Sequence, residues 1–354
     1  MPTSGGCSLP KRVMRYDNEQ CVMILREASK TSTKLGIGMR EHITRIAVTL
    51  LTINLFSCVH LVYAQAITTT TEIDSIYPVS RPPDSLNPSG FYAKHVSANG
   101  YPVISSSQVN DYALKEAAYL IDLMLAKRPD VRKAMIKSGS RMIVMAHNEY
   151  TTDIPEHSHL MPKKFWDARA RGLGGSTHDP VCSCAEENVL GYQGDPYSTE
   201  SIVIHEFAHN IHYRGLVEID PSFDDRLKET YQRAMNQKLW EGKYASTNHA
   251  EYFAEGVQSW FDNNRPPDHD HNHVDTRSEL KEYDPGLAKI CEEVFGDTQL
   301  KYTKPVTRLT GHLLGYEPKK APTFKWPDHL AEQKRKIIDD VRKQGKNRSN
   351  TYKN

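Results

Sequence analysis

Apolar positions along this chain fall into a few runs whose period names the element each forms. From Asp111 to Arg128 the sequence DYALKEAAYLIDLMLAKR carries apolar residues at helical spacing, and Pro129 interrupts it before a further turn or two of helix. The run RMIVMA, Arg141 to Ala146, is short, continuously apolar and bounded by Gly139 and His147, which reads as a buried strand. A longer amphipathic stretch follows in NVLGYQGDPYSTESIVIHEFAHNIHYRG. Gly194, Asp195 and Pro196 make a turn there, Ser198 or Thr199 can cap a helix with Glu200 in its first turn, and Gly215 is placed to end it. Asp220 or Ser222 starts another helix that runs through Trp240, and HAEYFAEGVQSWFD from His249 makes a third. Residues 67–110 differ from all of these. They are rich in Ser, Thr and Pro, contain RPPD and NPSG turns, and read as an irregular lead-in.

One apolar run is of another kind. Ile46 to Ala64 reads IAVTLLTINLFSCVHLVYA without a formal charge, with Arg40 and Arg45 before it and Gln65 and Ala66 after it. Basic flank, apolar stretch and small residues at a cleavage site are the layout of a secretory signal, with cleavage expected after Ala64 or Ala66. A start at Met39 would give this signal an orthodox short n-region and leave residues 1–38 as a product of start-site choice. The competing reading is an uncleaved type II anchor, since 19 residues can span a bilayer, although Asn54 and His60 weaken it. The expected organisation is an N-terminal extension over 1–42, a signal peptide or anchor over 43–66, the lead-in over 67–110, one α+β domain over 111–318, and a basic tail over 319–354.

Composition is that of an ordinary soluble chain, with 38% hydrophobic and 25% charged residues in 354, enough apolar material for a sizeable core. The net charge of +1 conceals +4 on residues 1–45 and +7 on residues 319–354, so the residues between them carry −10. An acidic body argues against nucleic acid as a partner, because phosphate contacts need a cationic face. The basic end, KRKIIDDVRKQGKNR, reads as a solvated helix or a loose terminus and holds the sequon Asn347-Arg348-Ser349. Downstream of the apolar run there are three cysteines, and a bridge from Cys182 or Cys184 to Cys291 is the expectation for an exported chain.

The chemistry lies in HEFAHNIH, residues 205 to 212. Residues four apart on a helix stand one above the other, so His205 and His209 can turn an imidazole nitrogen to one ion. Glu206 follows the first histidine and cannot join them without distorting the helix. It can instead take a proton from water in the ion's open position, as the base of a metal-assisted hydrolysis. HExxH by itself is a short pattern with chance matches, but here it falls inside an amphipathic helix. His212 shares a face with His205 but lies roughly 10 Å along the axis, so one ion cannot bridge the two, and a pocket-wall or packing role is expected. The pattern HExxHxxGxxH fails, since this chain has His212 and Gly215 where that pattern needs Gly and His. A carboxylate from a later helix must therefore complete the site, and Glu251 and Glu255, four apart among Tyr252, Phe253, Val257, Trp260 and Phe261, are the candidates.

At this point the sequence resembles the anthrax lethal factor-like zinc metallopeptidases, to which the clostridial Pro-Pro endopeptidases are related. The resemblance covers residues 198–262 and consists of HEFAH followed by Tyr244-ASTN-HA-Glu251-YFAE. It implies a zincin-like fold with an HExxH helix and a downstream glutamate helix. It further implies Glu251 as the third zinc ligand, Tyr244 as hydrogen-bond donor to the developing oxyanion, and Glu255 as a partner for an imidazole N–H. The 42-residue spacing from His209 to Glu251 separates the chain from thermolysin-like enzymes.

Two features remain. RGLGG, Arg171 to Gly175, lies where such folds set an edge strand beside the cleft, and an extended peptide could pair with it; a plain glycine loop is the other reading. DHDHNH, Asp268 to His273, reads as a solvated loop, a second metal tract or a cleft lining. The expectation is a secreted zinc metalloendopeptidase with one catalytic ion and a peptide or protein substrate, and with membrane contact only if residues 46–64 stay as an anchor. The alternatives are a secreted zinc-containing binding module without turnover and a zinc hydrolase acting on a non-peptide amide.

Overall fold

The computed structural model describes residues 76–87 and 89–351. The apolar run 46–64, Met39 and the basic leader lie outside the described residues. Among the described residues no helix is long and apolar enough to cross a membrane.

The first element of the sheet sits inside the stretch expected to be irregular. Strands β1 (Lys94–Ala98) and β2 (Tyr101–Ser105) form an antiparallel hairpin in which Ala98 pairs with Tyr101. The turn is Asn99-Gly100, both at positive φ (48° and 93°), the combination that matches the right-handed twist of the flanking strands. The correction to the 67–110 lead-in thus has a local cause. An Asn-Gly turn and a strand follow the Pro-rich segment, and composition averaged over the whole stretch hid them.

Helix α1 (Asp111–Met124) begins on Asn110, whose side chain accepts from Tyr112 N, and α2 (Pro129–Lys137) starts with proline at its first position. Strand β3 (Arg141–Met145) runs parallel to β2. After α3 (Lys163–Arg169), the two-residue β4 (Gly172–Leu173) pairs antiparallel with β5 (Val181–Ala185), which is itself parallel to β3. The sheet order is β1-β2-β3-β5-β4, which leaves β4 on an edge. The rest is helical: α4 (Glu186–Leu190), α5 (Ile202–Ile211), α6 (Phe223–Asn236), α7 (His249–Trp260), α8 (Arg277–Tyr283), α9 (Pro285–Phe295) and α10 (Asp328–Thr351). One mixed sheet with helices both between its strands and after them is consistent with an α+β arrangement.

Both faces of the sheet are covered, which is why β3 reads as an unbroken apolar run. Met142 and Val144 belong to the main core with α1, α5 and α7, whereas Ile143 and Met145 join Ile104, Ile154, Val181 and Ala185 in a smaller cluster on the other face. Cys182 and Cys184 point into the main core from β5, and Cys291 lies buried in α9; all three are free thiols. The expected bridge is therefore absent. The cysteines serve as small apolar residues on separate elements, and burial pushes each thiol well up.

Two boundaries also move. Gly215 does not end its helix, because the chain passes through a π-helical turn (His212–Leu216) into a last turn ending at Ile219. Gly215 is there for space, since a Cβ on it would lie 2.6 Å from Val131 Cγ1 and 2.9 Å from Met135 Cγ. α6 stops at Asn236, short of Trp240, which has φ +62° and donates from its indole to Asp284 Oδ2 at 2.9 Å. The C-terminal segment is no mere tail. Phe324 and Leu330 are buried, and Lys334 Nζ on α10 donates to the carbonyl of Arg169 at 3.0 Å.

Candidate metal centre

Helix α5 carries HEFAH in the middle of the protein, with Val203, Ile204, Phe207, Ala208 and Ile211 fully buried. Its N-terminus is capped by other elements rather than by its own Ser198, Thr199 or Ser201. Ser201 N donates to Asn263 Oδ1 at 2.7 Å, and Ile202 N donates to Asn188 Oδ1 at 2.7 Å. The edge strand lies flat against this helix. A Cβ on Gly174 would sit 2.4 Å from His209 Cβ, and one on Gly172 would sit 2.5 Å from Ile202 Cγ2 and 3.1 Å from Glu206 Cγ. Within RGLGG, Gly172–Leu173 is thus a two-residue edge strand and Gly174-Gly175 a loop, and glycines in both permit close approach; Arg171 before them donates to the buried Glu187 at 3.0 Å.

Helix α7 brings the third group. Asn248 caps it, accepting from Ala250 N (2.9 Å) and Glu251 N (3.0 Å), and this holds Glu251 in the first turn. Glu251 Oε2 then lies 3.2 Å from His205 Nε2 and 3.2 Å from His209 Nε2. Two imidazole nitrogens converge on one carboxylate oxygen. A tetrahedral ion held at about 2.0–2.1 Å by each donor keeps its donors roughly 3.3 Å apart, and both N–O separations match that spacing. Both histidines are 7% exposed, and the Glu251 side chain is 19% exposed, which leaves the open side toward solvent.

With this geometry in place, the chain is similar among solved structures to the Pro-Pro endopeptidase (PPEP-2) of Paenibacillus alvei. The match has 20% identity and a TM-score of 0.38, over 55% of this chain and 97% of that one. No protein-family model matches the chain, and no curated protein matches it.

The electrostatics of the cluster are strongly coupled. Burial pushes the Glu251 carboxyl up, but hydrogen bonds from His205 and His209 outweigh it and hold the group far below the usual range. Burial lowers His205, while the carboxylates of Glu251, Glu206 and Glu255 raise it further, to well above its ordinary value. Burial raises Glu206 against the pull of the two histidines. Burial, then the charges of Glu251 and Glu206, push the Tyr244 phenol far up, so it stays protonated. The Tyr244 ring is 6.2 Å from that of His205, in a single 3-10 turn (Tyr244–Ser246).

The groups around the three converging side chains differ from expectation. His205 Nδ1 makes its hydrogen bond with Gln258 Oε1 at 2.8 Å, whereas Glu255 Oε1 is 3.6 Å away. Gln258 in turn donates to Glu200 Oε2 at 3.0 Å, and Glu200 is paired with Arg265 at 2.7 Å. With Oε1 of Gln258 accepting, the proton sits on Nδ1 and Nε2 is free to ligate. Glu255 is held instead by Asn264 Nδ2 at 3.1 Å and by His271 Nε2 at 3.5 Å. Helical spacing offered one signal for Gln258, which lies seven residues after Glu251 and so on the same face.

Among the described residues two groups have donors close enough together to share an ion, His205–His209–Glu251 and His212–Asp224–His249, and neither includes Asp268 to His273. That tract is a scaffold. His271 Nδ1 is 2.8 Å from Asp268 Oδ1, and the carbonyl of Asp270 accepts from Tyr244 N at 2.8 Å, so the loop positions the tyrosine. His212 is fully buried, as a packing residue would be, but its Nε2 faces Asp224 Oδ1 at 3.0 Å.

Proposed function

We propose that the protein is a secreted zinc metallopeptidase in which His205, His209 and Glu251 hold the ion within a zincin-like fold. The observation that carries this reading is the convergence of two Nε2 atoms one helical turn apart on the single oxygen Glu251 Oε2. When bound, zinc supplies Lewis acidity that polarises a carbonyl and lowers the pKa of water at neutral pH. The residues of the chain supply the rest. Glu206, raised by burial, accepts the proton of the attacking water and returns it to the leaving nitrogen. Tyr244, kept protonated, donates its hydroxyl hydrogen to the oxygen that gains charge. Gln258 holds His205 in the ligating tautomer. β4 is the edge strand of the sheet among the described residues and lies next to Glu206, where an extended peptide can add as a further strand.

The test is Glu206→Gln in the purified mature chain, assayed against a broad peptide library with zinc content measured in parallel. Retained zinc with hydrolysis reduced by at least 10²-fold, the scale of a lost general base, is the expected outcome. Full activity in the variant would remove Glu206 as the base, and a wild-type protein without zinc would remove the reading altogether.

A further inference from the structure

The second convergent cluster repeats the geometry of the first. His212 Nε2 and His249 Nε2 each lie 3.0 Å from the same atom, Asp224 Oδ1, just as His205 and His209 each lie 3.2 Å from Glu251 Oε2. The three residues come from three elements: the π-helical turn after α5, the first turn of α6, and the first residue of α7. We propose that His212, Asp224 and His249 form a second site for a divalent cation of zinc type, separate from the HExxH centre and sharing no ligand with it.

Four observations support the assignment. The three donor atoms lie within 4.8 Å of one another, and two imidazoles with one carboxylate are a donor set that suits zinc. Lys228 Nζ, one turn along α6, is 2.5 Å from Asp224 Oδ2, which occupies the outer oxygen and leaves Oδ1 turned to the two rings. His212 is fully buried and held by its stack on Tyr213 at 4.3 Å, whereas the side chains of Asp224 and His249 are 25% and 24% exposed. One ligand is thus fixed and two stand at the rim, where an ion enters and keeps a water as its fourth ligand. A π-helical turn begins at His212 itself, with Val217 N donating to the His212 carbonyl, and such turns recur at functional sites.

The consequence is mechanical. His249 opens the helix whose third residue is Glu251, and His212 lies three residues beyond His209. An ion at the second site would clip the end of the HExxH helix to the start of the glutamate helix and to α6, bracing the catalytic ligands without touching substrate.

The experiment is zinc stoichiometry on the full mature chain, titrated with zinc chloride alone and read by metal analysis and by the zinc-dependent shift in Tm. Wild type is expected to bind two equivalents. The double variant His205→Gln/Glu251→Gln should keep one and still gain Tm with zinc, even if the protein never cleaves a peptide. His249→Gln should lose one equivalent, and Asp224→Asn, which keeps the shape of the carboxylate, should do the same if His249→Gln fails to fold. A single equivalent in wild type that disappears entirely in the double variant would overturn the second site, as would two equivalents retained by a folded His249→Gln.

Discussion

Replacing Gln258 by leucine tests how the metal centre is held rather than what composes it. Gln258 is fully buried, and its Oε1 is 2.8 Å from His205 Nδ1 while its amide donates to Glu200 Oε2 at 3.0 Å. Leucine fills nearly the same space but leaves a buried N–H on His205 and a buried oxygen on Glu200 without their partner. An orphaned buried group costs about 1–3 kcal/mol. Part of that cost falls on the metal-free protein as a lower Tm. The rest falls on zinc binding, because without an acceptor at Nδ1 the ring no longer favours the tautomer that presents Nε2. Loss of such an outer partner lowers metal affinity by roughly 10–100-fold, or about 1.4–2.7 kcal/mol. Competition against a chromophoric chelator reads the Kd, with circular dichroism confirming the fold. Gln258→Glu, which keeps an acceptor facing Nδ1, should bind zinc more tightly than Gln258→Leu. A folded Gln258→Leu protein with a Kd within about twofold of wild type would refute the tautomer lock.

Three other outcomes follow from the same geometry. Asn248→Ala removes the cap on Ala250 N and Glu251 N, so stability should fall by about 1 kcal/mol and zinc affinity with it, read by denaturant unfolding and zinc titration. Gly174→Ala sets a methyl 2.4 Å from His209 Cβ, and the expected loss is about 1–3 kcal/mol together with weaker zinc binding; an unchanged unfolding midpoint would show that the loop leaving β4 does not press on the helix. Zinc affinity should rise with pH. His205 in the metal-free protein has its pKa raised, since the surrounding carboxylates outweigh burial, so below that pKa zinc must displace a proton from the ring. Calorimetry in buffers of different ionisation enthalpy should detect that proton, and an affinity independent of pH between about 6 and 8 would contradict it.

The local part of this protein was legible from its residues. Apolar period located α1, β3, α5 and α7, and the four-residue spacing of His205 and His209 put two rings on one face, because helix geometry is a property of neighbours in the chain. The β1–β2 hairpin was legible too, in Asn99-Gly100, but its signal spans two residues and was lost in a segment weighed by composition. Cysteine count misled for a related reason: pairing depends on where β5 and α9 face, and they bury their thiols apart.

What tertiary structure alone decided is which distant groups share a point in space. The convergence of Glu251 Oε2, which the resemblance had implied, on the two Nε2 atoms, the Gln258–Glu200–Arg265 chain behind His205, the capping of α5 by Asn188 and Asn263, and the meeting of His212 with Asp224 and His249 all join residues a dozen to more than sixty positions apart. Each is set by the packing of α5 against β5 and α7, and of α7 against α6, where burial of apolar faces fixes the rotation of every helix and so the direction of every polar side chain it carries. Spacing along one helix sets two imidazoles on one face; only the packed core sets the distance at which Glu251 meets them and the groups that steady it.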